Sequence, residues 1–289
     1  MTRGELVAEL AVTLGARHEA RFIVEDVVGV TTSAPGQPVA MAEVEASRAL
    51  AARRCRGEPL QYVLGHWSFR SLDLLVDERV LIPRPETEQV VEVARRELDR
   101  LSPDAPVIVD AGTGSGAIAL SLATELGPTH PGGRVWAVDR SAGALAVAAA
   151  NLDRVRRSHR GALLPIALVE GSWLAALPAD LRGVVTLVVA NPPYVAEAEW
   201  PDLPSEVRRE PLGALVAPQG SDGTPGLGDV EALLGQAVGW LARPGAVVIE
   251  LAPHQAEPAT AMARAAGYRD VQVDADLAGR PRALVARWR

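Results

Sequence analysis

Apolar residues follow a helical spacing near the N-terminus, then a strand-like alternation. From residue 105 they form a regular succession of short apolar runs and helical segments. Leu6, Val7, Leu10 and Leu14 recur at intervals of one helical turn, and a second helix is predicted from about Met41 to Arg56. Phe22-Ile23-Val24 reads as a short apolar segment between them, followed by a break at Pro35-Gly36-Gln37-Pro38. Gly57-Glu58-Pro59 ends the second helix. Tyr62 to Phe69 and Leu72 to Val76 alternate apolar and polar positions around polar breaks, which predicts a hairpin. A helix from about Glu88 to Leu101 follows, with Glu86 or Thr87 as its cap. Strands and helices then alternate over 107–110, 117–126, 135–138, 142–151, 166–169, 184–190, 229–242, 246–251, 257–266 and 270–274, with a last strand from about Ala283 to Trp288.

That alternation predicts an α/β domain, a doubly wound and mostly parallel sheet with helices on both faces. The final two strands are close enough in sequence to pair as a hairpin across Leu277 to Arg282. Three parts are expected: a helical domain over 1–57, a β-hairpin linker over 58–87 and the α/β domain over 88–289. The helical part is too small for a nucleotide site of its own. It is expected to recognise a macromolecular substrate, because the α/β part is complete without it. The segment from Ala196 to Gly228 is long and rich in Pro, Gly and Asp, as substrate loops often are.

Composition narrows the function classes. The chain has 289 residues, 48% hydrophobic and 22% charged, as a globular protein of one large or two smaller domains does. No apolar run is long enough to span a bilayer, and the N-terminus carries no stretch of signal-peptide type, so a cytoplasmic location and no membrane partner are expected. Cys55 is the single cysteine, which excludes an internal disulfide and a cysteine-cluster metal site. His18, His66, His130, His159 and His254 are scattered, and no metal is expected. All 29 basic side chains are arginine, and the net charge is −7. A protein that grips a long nucleic acid usually has a basic balance, so no direct nucleic-acid binding is expected.

Two motifs carry the chemistry. Val107-Ile108-Val109-Asp110 is a short strand that runs into Gly112-Thr113-Gly114-Ser115-Gly116 and then a helix-like segment. Strand, glycine turn and helix open a nucleotide site in doubly wound folds, since glycine permits the tight turn and close backbone approach. The turn alone fits a dinucleotide or S-adenosylmethionine equally. The next strand ends in Asp139, whose carboxylate can accept both ribose hydroxyls of either ligand, or cap the helix that follows. The second motif breaks the tie. Asn191-Pro192-Pro193-Tyr194 follows a buried apolar run. Two prolines fix the backbone and remove two donors, which frees carbonyls to accept. Asn191 adds a side-chain acceptor and Tyr194 a flat face. Together they form a socket for a planar group bearing an NH2, as in methyltransferases of conjugated nitrogens. Dehydrogenases lack it.

Further segments resemble one family, the HemK/PrmC protein-glutamine methyltransferases that modify peptide chain release factors. The resemblance runs through Gly57 to Tyr62, Leu81-Ile82-Pro83-Arg84-Pro85-Glu86-Thr87-Glu88, Asp110 to Ile118, Val138-Asp139, Asn191 to Tyr194 and Glu210 to Leu215. By its local chemistry alone, the Ile82 to Thr87 loop reads as an ordinary interdomain turn. The resemblance implies a Rossmann-like domain using S-adenosyl-L-methionine, with a small N-terminal helical domain that docks the release factor. It implies that Gly112, Thr113, Gly114, Ser115, Gly116, Asp139, Trp173 and Asn191 bind the cofactor, with Trp173 in the adenine pocket. It implies that Asn191, Pro192, Pro193 and Tyr194 hold the glutamine of a Gly-Gly-Gln motif. Three positions depart from the family. Ser172 stands where an aspartate is usual, Glu250-Leu251-Ala252 replaces Glu-x-Gly, and Ala278 to Arg282 replaces a polar turn. The alternative that uses the same socket is methylation of an adenine amine in DNA or RNA.

Overall fold

The computed structural model describes residues 1–29 and 34–289, which divide into two units. The first comprises Met1–Trp67 together with Pro204–Arg209. Its helices are α1 (Arg3–Leu14), α2 (Arg17–Val28), α3 (Met41–Cys55) and α4 (Leu60–Leu64). Thr2 opens α1 with a reciprocal cap, its hydroxyl accepting from Glu5 N while Glu5 accepts from Thr2 N. Leu6, Leu10, Ala20, Ile23, Val24, Val44, Ala51 and Leu60 form the core of this unit. Phe22-Ile23-Val24 therefore lies inside α2, because Ala20, Ile23 and Val24 share one helical face and bury it. Tyr62 to Leu64 is helix, not strand. Pro59 starts α4, Leu60 and Val63 turn inward, and Gly65 stops it at φ +80°. Residues 204–209 join this unit through ion pairing of Arg54 with Glu206 at 2.8 Å and a bond from Arg209 to Arg56 O.

The second unit comprises Ser68–Leu203 and Glu210–Arg289. The hairpin is shorter than expected, β1 (His66–Phe69) with β2 (Leu72–Leu75). Then follow α5 (Pro85–Leu101), β3 (Val107–Ala111), α6 (Ala117–Leu126), β4 (Arg134–Asp139), α7 (Ala142–Ser158), β5 (Ile166–Glu170) and β6 (Val185–Ala190). The loop region contains β7 (Val195–Ala196), α8 (Leu212–Leu215) and β8 (Val216–Ala217). The chain closes with α9 (Gly228–Ala237), β9 (Leu241–Glu250), α10 (Ala256–Ala265), β10 (Asp270–Ala275) and β11 (Pro281–Trp288). Helix α5 starts at Pro85, earlier than expected, because proline's missing N–H costs nothing at a helix start. Neither Glu86 nor Thr87 caps it; Arg84 is the cap residue and supplies no side-chain bond.

Seven strands form one sheet in the order β10-β11-β9-β6-β3-β4-β5. The run from β9 to β5 is parallel, and β11 lies antiparallel between β9 and β10. Alternate residues of the central strands face opposite layers. Ile108, Leu187, Val189 and Val248 pack with α5 and α6, while Val109, Val188, Val247 and Ile249 pack with α9 and α10. The central strands β3 and β6 therefore read as near-continuous apolar runs buried on both faces, while the edge strands β5 and β10 are only partly buried. Strand order reverses between β3 and β6. At that reversal the following loops diverge and leave a crevice beyond the carboxyl ends of the strands. Among the described residues no helix is long and apolar enough to cross a membrane.

Candidate active site

The crevice holds a cavity of about 330 Å³, lined from the turn after β3, the end of β4, the turns after β5 and β6, the loop before α5 and residues 211–214. On the β3 side, Gly112, Gly114 and Gly116 all have positive φ, at +80°, +54° and +85°. Gly112 needs its missing side chain for a second reason. A Cβ there would stand 3.1 Å from Trp173 Cζ3. Gly112 to Ser115 line the cavity, whereas Gly116 lies behind it as the start of α6.

Asp110 anchors this turn from below. It is fully buried, and one carboxylate oxygen accepts from Thr113 Oγ1 at 2.6 Å and from Ala119 N at 3.0 Å. Burial pushes its carboxyl up to about 7, against the pull of those two donors. Asp139 ties the turn from the side, accepting from Gly114 N and from Ser141 N, both at 2.9 Å. Ser141, not Asp139, caps α7, accepting from Ala144 N. Each oxygen of Asp139 holds one backbone bond and has capacity for another, as a ribose hydroxyl requires.

Trp173 reaches the cavity from the turn after β5, with its backbone at φ +49°. Burial raises the carboxyl of Asp229 beside it, against the opposing pull of Arg140 and of Trp173. Ser172 is exposed beside it on the cavity wall.

Asn191 follows directly from β6, next to β3 in the sheet. The two sequence motifs thus meet at adjacent strand ends. Its Nδ2 donates to Thr87 Oγ1 at 3.1 Å, and Thr87 donates in turn to Glu250 Oε2 at 2.7 Å. Asn191 Oδ1 is buried and has no partner among the described residues. Pro193 lines the cavity with Asn191, while Pro192 is buried next to them. Tyr194 is half-buried and does not line the cavity. Its carbonyl accepts from Gln255 Nε2 at 2.9 Å, and its N donates to Leu215 O at 3.2 Å. Burial, reinforced by the Glu250 charge, pushes the Tyr194 hydroxyl up to about 12.

The loop before α5 is more than an interdomain turn. Leu81, Pro83 and Thr87 line the cavity. Glu210 holds this loop, accepting from Ile82 N at 3.0 Å and pairing with Arg84. Sequence reasoning missed Thr87 and Glu250, treating the first as a helix cap and the second as part of an altered turn. The signal was a buried-strand end finishing in a carboxylate, but nothing in sequence spacing ties residue 250 to residue 87. No group of three or more His, Cys, Asp or Glu side chains among the described residues could hold a metal ion.

A turn in which a side chain at Gly112 would press on Trp173 lies across one cavity from a buried acceptor, Asn191 Oδ1, that has no partner among the described residues. Such a cavity brings a bulky donor and a hydrogen-bonding acceptor group together. With the strand order, it defines the class as the S-adenosylmethionine-dependent methyltransferases. A solved structure of the same fold is the T. thermophilus 16S rRNA N2 G1207 methyltransferase in complex with AdoMet and guanosine. It is 17% identical with a TM-score of 0.51, over 78% of this chain and 50% of that one, and shows the fold alone.

The PrmC N-terminal domain family model matches residues 5–65. The release factor glutamine methyltransferase of Moorella thermoacetica is 41% identical over 98% of this chain and 96% of its own. That of Bordetella pertussis is 41% identical over 91% of this chain and 92% of its own. The chain belongs to the release factor glutamine methyltransferase family.

Proposed function

We propose that this protein performs its family's reaction, transfer of a methyl group to the side-chain amide nitrogen of the Gly-Gly-Gln glutamine in a peptide chain release factor, and that Asn191 to Tyr194 hold that amide. The observation that carries the site assignment is Asn191 Oδ1, a buried acceptor at the edge of the cavity without a partner among the described residues. A buried polar atom left unpaired costs about 1–3 kcal/mol, so the site is built for a donor to arrive. A glutamine amide brings two N–H groups. Asn191 Oδ1 takes one and the Pro192 carbonyl the other, while Tyr194, outside the cavity wall, holds the turn through its backbone bonds with Gln255 Nε2 and Leu215 O. Both acceptors orient the nitrogen and stabilise the positive charge that grows on it.

Gly112 to Gly116, Asp139 and Trp173 are proposed to hold S-adenosylmethionine, the glycines by close backbone approach, Asp139 at the ribose and Trp173 at the adenine. Bound there, the sulfonium compound supplies an electrophilic methyl group. Ser172 leaves adenine recognition to Trp173 and backbone groups. Tyr194, with its hydroxyl held neutral, is no base. None is needed before attack, and the amide proton leaves to solvent afterwards.

The helical segment over 1–57 is proposed to dock the release factor and the unit of Ser68–Leu203 and Glu210–Arg289 to transfer the methyl group; the linker expected over 58–87 divides between the two units after Trp67. Nucleic acid is no direct partner in this reading, and the location is the cytoplasm, where release factors act. The test is mass spectrometry of a release factor incubated with the protein and S-adenosylmethionine. One methyl gained on the Gly-Gly-Gln glutamine is expected. Methylation of an adenine oligonucleotide with none on the factor would overturn the assignment.

A further inference from the structure

Asn191 can present either end of its amide to the cavity, and only its oxygen suits a substrate N–H. The choice is made behind it. Glu250 is 1% exposed at the end of β9, and as a carboxylate it can only accept. It therefore takes the single proton of Thr87 Oγ1, at 2.7 Å. With its proton committed, Thr87 Oγ1 can offer Asn191 only a lone pair, which accepts from Nδ2 at 3.1 Å. Oδ1 is left turned away from Thr87, buried and without a partner among the described residues. Residues from the first turn of α5, the end of β6 and the end of β9 thus form one directed chain of hydrogen bonds.

We propose that Thr87 and Glu250 are positioning residues for methyl transfer, locking the Asn191 amide in the one orientation that accepts the substrate N–H. The proposal rests on the reading of Asn191 as the acceptor of the glutamine amide. It also makes turnover depend on the charge of Glu250. A protonated Glu250 would donate to Thr87 Oγ1, whose own proton would then turn toward Asn191. That proton demands the Asn191 oxygen, and the amide flips so that NH2 faces the cavity, donor against donor. The groups that face Glu250 are Thr87, Glu86 and Arg84 from α5 and its leading loop, Arg282 from β11, and Tyr194 from the turn after β6. Burial pushes the Glu250 carboxyl up to about 7; Glu86 adds to the rise, while Thr87, Arg282 and Arg84 oppose it.

The test measures kcat against pH from about 5.5 to 8.5 on a Gly-Gly-Gln peptide with saturating S-adenosylmethionine, for the whole wild-type chain and its variants. Calorimetry of cofactor binding verifies folding. Thr87→Val is expected to lower kcat about tenfold to a hundredfold with cofactor affinity nearly retained, and Thr87→Ser to recover most of the loss. Glu250→Gln keeps an acceptor oxygen but cannot titrate, so the acid limb of the profile near pH 7 should vanish. Thr87→Val at the wild-type kcat, or an acid limb that persists in Glu250→Gln, overturns the positioning role. If Thr87→Val fails to fold, Glu250→Gln still decides through the acid limb. Asn191→Ala, run alongside, separates the two claims: its failure to slow turnover would remove the underlying site reading itself.

Discussion

Asn191 and Thr87, 104 residues apart in the chain, meet through one hydrogen bond of 3.1 Å from Nδ2 to Oγ1. That bond uses the donor end of the Asn191 amide on the protein and leaves the acceptor end, Oδ1, for the cavity. If Asn191 holds the substrate amide as proposed, the socket is oriented before any substrate enters, which is what preorganised stabilisation of a transition state requires.

Removing the acceptor should be costly to turnover. Asn191→Ala is expected to lower kcat by about a hundredfold to a thousandfold, as loss of one preorganised partner usually does. Asn191→Asp keeps an acceptor but adds a charge and cannot donate to Thr87, so it too should methylate poorly. Both should still bind S-adenosylmethionine measurably by calorimetry. A wild-type rate in Asn191→Ala would place the substrate amide elsewhere.

Asp139 holds Gly114 and Ser141 through backbone bonds and, in the proposed reading, also meets the ribose. Hydrogen bonds to a charged acceptor are each worth about 1.5–3 kcal/mol. Asp139→Ala should then weaken S-adenosylmethionine binding at least about tenfold, roughly 1.4 kcal/mol. Undiminished affinity in a folded variant would show that the adenosine lies elsewhere.

Gly112→Ala tests the cradle by steric means. A left-handed backbone costs an ordinary residue about 1–2 kcal/mol. The added Cβ also presses on Trp173 Cζ3 at 3.1 Å, so the ring must move. We expect a lowered Tm together with weakened cofactor binding. Gly183, also at positive φ but with nothing within 4 Å, provides the comparison: Gly183→Ala should lower Tm without touching cofactor affinity.

The Glu250 carboxyl predicts opposite pH trends for stability and turnover. Its folded value, pushed by burial up to about 7, lies above the unfolded value of roughly 4.3. The folded chain then binds more protons than the unfolded chain within that window. Its contribution to stability is complete below the unfolded value and is lost as pH rises through about 7. Asp110, raised by burial to about 7, acts in the same direction. Glu250→Gln should therefore flatten, without abolishing, the fall of Tm between about pH 5 and 7.5. Equal slopes in the two proteins would mean that Glu250 ionises normally. Turnover runs the other way, rising as Glu250 ionises.

If the helical segment docks the release factor, the whole factor should be methylated far more efficiently than a short Gly-Gly-Gln peptide. A chain beginning at Ser68 should lose that advantage while keeping cofactor binding and peptide methylation. Equal losses on both substrates would assign the segment a structural role.

The α/β class, the glycine turn and the Asn-Pro-Pro-Tyr turn were all legible in the sequence, because each is local. Apolar strands buried on both faces, a turn that demands glycine and a pair of prolines that fixes φ are constraints between neighbouring residues. Local patterning left Phe22 to Val24 without a period and misread Tyr62 to Leu64 as strand-like. A three-residue apolar run has no period of its own, and packing against α1 and α3 or a terminating Gly65 decided for helix. What only the tertiary structure decided was pairing across distance. The sheet order set β6 beside β3 and β9 beside β6, and so carried Asn191 to the glycine turn. The first turn of α5 then brought Thr87 between Asn191 and Glu250. A hydrogen bond depends on distance and direction in space, and neither is written in the separation of residues 87, 191 and 250 along the chain.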